Sequence, residues 1–206
     1  VAREIGLDGV QVSLGTEKDD MQLRQTGIQQ AYRDAAAKSG VSVASLAIGA
    51  LNEFPYKKDP RTVDWVSGGI DATAALGCKV ILLAFFGNGA LRGDPAGTDE
   101  VVRRLKAVAP QAERQGVILG LESWLSAEEH MDIIDRVGSK AVQVYYDVRN
   151  NKAVMLDAVF WTYDERRKLP LFVRAKTVRQ TAADQFSAEK AVFTNTVAVD
   201  AYRGAG

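Results

Sequence analysis

The sequence predicts an α/β fold built on a parallel sheet. Five apolar segments with the character of strands alternate with four helical segments at intervals of roughly 25 to 40 residues. This alternation is typical of an α/β barrel or a doubly wound sheet. The segments 117–121 and 142–148 are nearly continuous apolar runs, which is typical of strands covered on both faces. Each of these two strands ends in a carboxylate, Glu122 and Asp147, at the position where α/β proteins place their chemistry.

The first half of the chain supplies two strands and two helices. Glycine, serine or proline marks most of their boundaries, as is typical of turns and helix termini. We predict a strand over 9–14, a helix over 26–39 ended by Gly40, a strand over 41–48, and a helix that begins at Asp59 and Pro60 and ends at Gly77.

The next elements lead to the two carboxylates. We predict a strand over 79–86, followed by a loop rich in Gly and Asp, as active-site loops often are. Thr98 is the predicted cap of a helix that ends at Gly116. Between the two acidic strands, Ser126 and Glu129 have the spacing of a capping box, which predicts a further helix. No G-x-G-x-x-G motif follows any strand, which argues against a dinucleotide-binding sheet.

The composition narrows the classes of function. With 26 basic and 26 acidic residues the formal charge is zero, so the chain has no global basic field to attract nucleic acid. No apolar run approaches the roughly 20 residues that span a bilayer. The single cysteine, Cys78, excludes an internal disulfide, is expected to pack at the start of a strand, and favours a cytoplasmic location.

The composition also changes along the chain. All but two of the 18 glycines lie within residues 1–150. We therefore predict one domain over 1–150 and a C-terminal segment of different origin or packing over 151–206. The sequence begins with Val1 rather than Met, in a stretch that resembles the last turn of a helix running into a strand, so we expect it to be a fragment in which an export signal would not be visible.

Four stretches resemble the sugar phosphate isomerase/epimerase group with the xylose isomerase-like TIM barrel. They are AREIGLDGVQVSLG, the strand ends LAIG and LAFFG, GVILGLES, and VQVYYDVRN. The resemblance covers about residues 1–150 and implies a partial TIM (β/α)8 barrel, about strands two to six, with an atypical C-terminal tail. The first barrel strand would then be missing, and the strand over 9–14 would be the second.

The resemblance also implies a metal site. Members of the isomerase and epimerase type hold one divalent metal, of the kind of Mn, Mg, Co or Zn, through Glu, Asp, His and Glu at the ends of strands five to eight. Glu122 matches the first ligand and Asp147 the second. The third and fourth have no counterpart, because the pattern stops near Asn150. In epimerases of the family the two glutamates are also the acid and base, so Glu122 is the candidate catalytic residue.

Other polar and aromatic residues are weaker candidates for substrate binding. Trp124 follows Glu122 into the loop, where an aromatic ring could stack on a sugar. Glu128 resembles a substrate-side glutamate of some epimerases, although a solvated acid in the first helical turn is the simpler interpretation. Gln11 and Asn88, expected at other strand ends, could bind hydroxyl groups. His130, the sole histidine, is expected to be a partly buried, hydrogen-bonded side chain.

The predicted function is metal-dependent isomerisation or epimerisation of a small sugar or sugar phosphate, incomplete in this chain. We expect neither nucleic acid nor a membrane as partner. The sequence is compatible with a homo-oligomer. One alternative on the same fold is a dehydratase of a cyclic polyol or keto acid. Another is a zinc endonuclease at abasic DNA, which one histidine disfavours. The third is a non-catalytic truncated or chimeric fragment.

The last 14 residues, FTNTVAVDAYRGAG, resemble a different family. Members of the molybdopterin-binding subunit of the xanthine dehydrogenase and aldehyde oxidase group carry a similar segment, with Pro where this sequence has Ala198. The match is short, and we assign it no chemistry.

Overall fold

The computed structural model of the protein describes residues 2–3, 6–145, 158–164 and 169–175, the last two ranges by their backbone alone. The chain divides into two compact units, which are described separately. One unit comprises residues 1–125 and 130–146, and the other comprises residues 126–129 and 147–206.

The first unit is built on a five-stranded parallel sheet. Its strands are β1 (Gly9–Ser13), β2 (Ser42–Ile48), β3 (Val80–Phe85), β4 (Ile118–Ser123) and β5 (Val142–Val144). All neighbours pair in parallel, and the spatial order follows the chain from β1 to β5. A doubly wound sheet reverses its strand order at a switch point. The uninterrupted order is that of a barrel wall, which confirms the predicted α/β class.

Within the described residues, four α-helices connect or accompany these strands. They are α1 (Thr26–Ser39), α2 (Arg61–Ala75), α3 (Pro95–Gln115) and α4 (Ala127–Val137). Gly40 and Gly116 end α1 and α3 with φ values of 69° and 66°, in the left-handed region where a glycine carries no Cβ penalty. The predicted capping box is also present, since Ser126 and Glu129 exchange backbone and side-chain hydrogen bonds.

The predicted N-terminus of α3 was wrong by one turn. Asp94, not Thr98, is the N-cap, and its carboxylate accepts a hydrogen bond from the backbone N–H of Gly97 at 2.9 Å. Pro95 occupies the first helical position, where its fixed φ and missing N–H cost nothing. Thr98 lies inside the helix, where its hydroxyl donates to the Asp94 carbonyl at 2.9 Å. The Asp-Pro pair therefore outweighs the threonine as a start signal.

The hydrophobic core lies between the sheet and the helices. Alternate residues of β2, β3 and β4 supply its strand side, and the pleat requires that they share one face. These are Leu46, Ile48, Ile81, Leu83, Leu119 and Leu121. An apolar stripe of α3 supplies part of the helix side, and all its members are buried: Val101, Val102, Leu105, Val108 and Ala112.

The opposite face of the sheet is concave. The amide nitrogen of Gln11 in β1 lies 3.2 Å from the hydroxyl of Tyr145, the residue that follows β5. The two outer strands of a flat five-stranded sheet would be about 19 Å apart at a spacing of about 4.8 Å, further than these side chains reach together. The sheet therefore curves as a barrel wall does.

The second unit contains an antiparallel pair, β6 (Ala158–Asp164) and β7 (Leu169–Ala175), in which Ala158 is opposite Ala175. The last 14 residues, with their resemblance to molybdopterin-binding subunits, lie outside the described residues. The division at residue 150 stays a prediction. Within the described part of the chain, no helix is long and apolar enough to cross a membrane.

Candidate active site

Glu122 lies at the carboxyl edge of the sheet, as predicted. It is the penultimate residue of β4 and pairs with Ala84 of β3. Leu121 and Ser123 on either side of it belong to the helix-facing side, so strand alternation turns Glu122 to the concave face. Its side chain is nonetheless only 8% exposed. A carboxylate at such a position requires compensation, because burying an ionised group away from water is costly.

The second predicted ligand, Asp147, lies outside the described residues. Among the residues that the structure does describe, no group of three His, Cys, Asp or Glu side chains could hold a metal. Glu122 itself fits such a role, because hard divalent cations prefer carboxylate oxygens and its carboxylate is nearly enclosed. The described residues thus contain one ligand of the expected type, and the metal site stays a prediction.

A polar network crosses the concave face. The Gln11 amide donates to the Ser45 hydroxyl of β2 at 3.1 Å and to the Tyr145 hydroxyl. Tyr145 packs over Gly120, where an added Cβ would lie 3.0 Å from the Cβ and Cδ2 atoms of the tyrosine. Gly120 precedes Glu122 by two residues, so it lies on the same face of β4. Gly120 lies one layer below the carboxylate, and Gln11, Ser45 and Tyr145 join it in the floor of the concave face.

The structure corrects the expected position of Gln11. It is the third of the five residues of β1 rather than a strand-end residue. Its amide nitrogen is engaged by Ser45 and Tyr145, so within the described residues it belongs to the floor of the concave face. A role in substrate binding stays a prediction.

Trp124 lies at the rim, immediately after β4, with 44% of its surface exposed. Its indole packs against Phe86, which immediately follows β3, with ring centroids 5.1 Å apart and an interplanar angle of 62°. Edge-to-face pairs of this kind are favourable beyond the area they bury. The two residues form an aromatic wall at the same edge of the sheet as Glu122.

The loop that follows β3 is held against the loop that follows β2. The Asn52 side-chain oxygen accepts the backbone N–H of Phe86 at 2.8 Å. Asn88 is exposed in a short helical turn, Gly87–Gly89, and donates to the Glu53 carbonyl at 3.4 Å. Gly89 packs so tightly that an added Cβ would lie 2.5 Å from the Leu51 carbonyl oxygen. Asn88 thus follows β3 rather than ending it, and its predicted substrate contact stays a prediction.

An ion pair strengthens the same contact between loops. The nearly buried Lys57 ammonium donates to the Asp94 carboxylate at 2.8 Å and to the Ala90 carbonyl at 2.5 Å. The hydrogen bond from Lys57, followed by that from the Gly97 N–H, holds the pKa of Asp94 below its usual value. Lys57, a loop lysine in the sequence, therefore has a structural partner.

The remaining predicted residues divide into buried and exposed groups. His130 is buried, at 4% exposure, and its Nε2 atom lies 2.9 Å from the Ser123 hydroxyl, as expected for a hydrogen-bonded histidine. Cys78 is buried two residues before β3, and burial raises the pKa of its thiol. Glu128 is exposed in the first turn of α4, where a backbone hydrogen bond and then the Ser126 hydroxyl lower its pKa.

Several residues of this edge were not identified from the sequence. They are Ser45, Asn52, Phe86, Gly120 and Tyr145. Only Gly120 carried a local signal, because a glycine inside an apolar strand often marks a close approach of another group. The other four depend on which strands become neighbours, and that information is not local.

These features define a class: an α/β-barrel protein with an acidic residue at the carboxyl edge of its sheet. The sequence matches the xylose isomerase-like TIM barrel family over residues 1–167. The chain belongs to this family.

A curated relative and two solved structures agree with this assignment. The chain is 26% identical over 168 residues to the 2-epi-5-epi-valiolone 7-phosphate 2-epimerase of Actinoplanes sp. (strain ATCC 31044 / CBS 674.73 / SE50/110), a match that covers 81% of the chain and 62% of the relative. The chain thus spans less than two thirds of that protein's length.

The structural similarity lies in the fold. A xylose isomerase-like TIM barrel protein from Mycobacterium smegmatis, solved in complex with magnesium, superposes with a TM-score of 0.61 at 15% identity, over 84% of this chain and 69% of that one. A xylose isomerase domain protein from Planctomyces limnophilus gives 0.60 at 20% identity, over 73% and 58%. Both likenesses establish the barrel architecture alone.

Proposed function

We propose that the chain carries part of the active site of a metal-dependent isomerase or epimerase of a sugar or sugar phosphate. The observation that carries the proposal is Glu122, a nearly enclosed carboxylate on the concave face at the carboxyl edge of a parallel barrel wall. The epimerase relative favours this chemistry over a dehydratase or an endonuclease.

The proposed metal is a divalent cation such as Mn, Mg, Co or Zn, with Glu122 and Asp147 as ligands. Carboxylate oxygens suit all four of these ions. A divalent cation bound at such a site polarises a sugar carbonyl and makes the neighbouring C–H bond more acidic.

Glu122 has the proposed role of general base. Its carboxylate takes the proton from the carbon next to the carbonyl, while the electron pair of the broken C–H bond delocalises into the carbonyl. Return of a proton to the opposite face of that carbon gives an epimer, and return to the neighbouring carbon gives an isomer. The low exposure of Glu122 helps, because it keeps bulk water from competing for the proton.

The aromatic wall has the proposed role of substrate contact. The exposed Trp124 ring, supported by Phe86, offers an apolar surface to the C–H face of a sugar ring. Asn88 and Glu128 are further candidates for hydroxyl contacts.

The test is exchange of substrate hydrogen with solvent. The full chain is incubated in D2O with Mg2+ and either 2-epi-5-epi-valiolone 7-phosphate or D-fructose 6-phosphate, and deuterium next to the carbonyl is measured by mass spectrometry. We expect slow but measurable exchange by the wild type, which holds Glu122 within a partial site, and a further loss of roughly 100-fold or more in Glu122→Gln, the usual range for removing a general base.

Glu113→Gln is the matched control. Glu113 is an exposed glutamate in the last turn of α3, which precedes β4 and therefore lies at the opposite edge of the sheet, where it accepts the Ser139 hydroxyl. This variant should exchange as the wild type does. The proposal is overturned if Glu122→Gln also exchanges at the wild-type rate, or if the wild type exchanges neither probe.

A further inference from the structure

The chain's sole histidine is placed where it contacts the end of β4. His130 lies on the buried side of α4, and its Nε2 atom is 2.9 Å from the Ser123 hydroxyl. Both side chains are only 4% exposed. Two polar side chains so deeply buried must be hydrogen-bonded to be tolerated, and this pair meets that condition.

The Ser123 hydroxyl makes a second hydrogen bond. It accepts the backbone N–H of Leu125 at 3.1 Å. A hydroxyl has one donor and two acceptor positions, so Ser123 can satisfy Leu125 and His130 at the same time. The serine therefore fixes the backbone turn that leaves β4 and ties it to α4.

Strand alternation separates this contact from the carboxylate. Ser123 pairs with Phe85 of the core, whereas Glu122 pairs with Ala84. Adjacent residues of a strand point to opposite faces. The serine and the histidine thus hold the strand end from the helix side, opposite the face that carries Glu122.

Trp124 lies between Ser123 and Leu125, the two residues whose hydrogen bonds fix this turn. Its backbone lies between Ser123, bonded to His130, and Leu125, bonded to Ser123. Its indole packs against the Phe86 ring, and the Phe86 backbone N–H donates a hydrogen bond to the Asn52 side chain. An exposed aromatic ring is thereby fixed from both sides before any ligand arrives.

We propose that Ser123 and His130 are positioning residues that set the orientation of Trp124, and through it the fit of a sugar ring beside Glu122. This inference rests on the proposed function of that same site. The physical advantage is preorganisation: a side chain already held in its binding conformation loses less entropy when a ligand binds. Neither residue touches the reacting atoms.

The test observes Trp124 directly. The full chain is labelled with 5-fluorotryptophan, which gives one 19F resonance each for Trp65, Trp124 and Trp161. The resonance that disappears in Trp124→Phe is that of Trp124. We expect Ser123→Ala and His130→Leu to move the Trp124 resonance toward that of free 5-fluorotryptophan. Trp65, buried against Phe54, is the internal reference and should not move.

Conservative variants distinguish a positioning role from a merely structural one. Ser123→Thr keeps the hydroxyl, and His130→Gln keeps a hydrogen-bonding atom near the position of Nε2, so both should retain the wild-type Trp124 resonance. If His130→Leu fails to fold, Ser123→Ala decides, since it removes a single atom from the side chain.

Two results would overturn the inference. One is an unchanged Trp124 resonance in Ser123→Ala, and the other is a shift of Trp65 as large as that of Trp124. Failure of the proposed function is a separate outcome: if the wild type shows no deuterium exchange but the Trp124 resonance responds as expected, the positioning contact stands and the chemistry does not.

Discussion

The two faces of the barrel wall differ in composition and in what they do. The helix-facing side is lined by fully buried aliphatic residues such as Leu46, Leu83 and Leu119. The concave side carries polar residues instead. Gln11 and Ser45 are joined by a hydrogen bond, and Glu122 is placed by the pairing of β4 with β3. Because strand residues alternate between the faces, one segment of sequence supplies stability and chemistry at once.

The largest effect is expected on the helix-facing side. Leu119→Ala removes a fully buried side chain from β4, the strand that carries Glu122. We expect the free energy of unfolding to fall by about 2 to 5 kcal/mol, measured by urea denaturation. Ser13→Ala, an exposed position in β1, is the control and should change it by less than about 0.5 kcal/mol. Equal losses in the two variants would contradict the division between the faces.

A smaller effect is expected on the concave side. Gly120→Ala places a Cβ 3.0 Å from two atoms of Tyr145. One of these is the Tyr145 Cβ, which can move only with the backbone of Tyr145. We expect a loss of about 1 to 3 kcal/mol from this overpacking, measured in the same way.

The control for this variant is Gly27→Ala in α1, where an added Cβ meets nothing within 4 Å. That change should be neutral or slightly stabilising, because alanine is the better helix former. If Gly120→Ala proved equally harmless, Tyr145 would not be packed on the strand as described.

A third test concerns the loops at the carboxyl edge. Asp94→Ala removes the N-cap of α3 and the partner of Lys57, and we expect a loss of about 1 to 2 kcal/mol. Asp94→Asn keeps an oxygen for the Gly97 N–H and loses only the charge, so it should cost less. Identical losses in both variants would mean that the cap contributes nothing.

The same carboxylate predicts a pH dependence. The Lys57 contact lowers the pKa of Asp94 in the folded protein, so this group stabilises the fold fully at pH above the value of an unfolded aspartate, about 4. The contribution is lost as the pH falls through the lower folded pKa. The difference in unfolding free energy between wild type and Asp94→Asn should therefore shrink in acid, and a constant difference between pH 7 and pH 2 would contradict the assignment.

The smallest effect is expected for Tyr56→Phe. The Tyr56 ring is buried, and its hydroxyl has no hydrogen-bond partner among the described residues. Burial raises its pKa well above the usual value. Removal of an unsatisfied buried hydroxyl should leave the stability unchanged or increase it by up to about 1 kcal/mol. A clear loss of stability would show that the hydroxyl is hydrogen-bonded in solution.

Local patterns were sufficient to predict the elements of the first unit. The apolar runs, Gly40 and Gly116 define strands and helix ends through forces that act within a few residues. The error at Thr98 arose between two competing local signals, both compatible with a helix start. The position of Glu122 also followed, because a parallel sheet brings strand ends to one edge.

The arrangement of side chains around Glu122 was not accessible in the same way. The contact between Gln11 and Tyr145 joins residues 134 positions apart, and the contact between Phe86 and Trp124 depends on the pairing of β3 with β4. Such contacts follow from curvature and register, which no short stretch of sequence encodes. The roles of Asp147, Asn88 and Glu128 stay predictions.

The most direct test of the account is Mn2+ binding by the full chain, measured by isothermal titration calorimetry. The account predicts a site that is weakened at least about tenfold in Glu122→Gln and is unaffected in Glu113→Gln. Equal affinities in Glu122→Gln and the wild type, or no binding by the wild type, would contradict it.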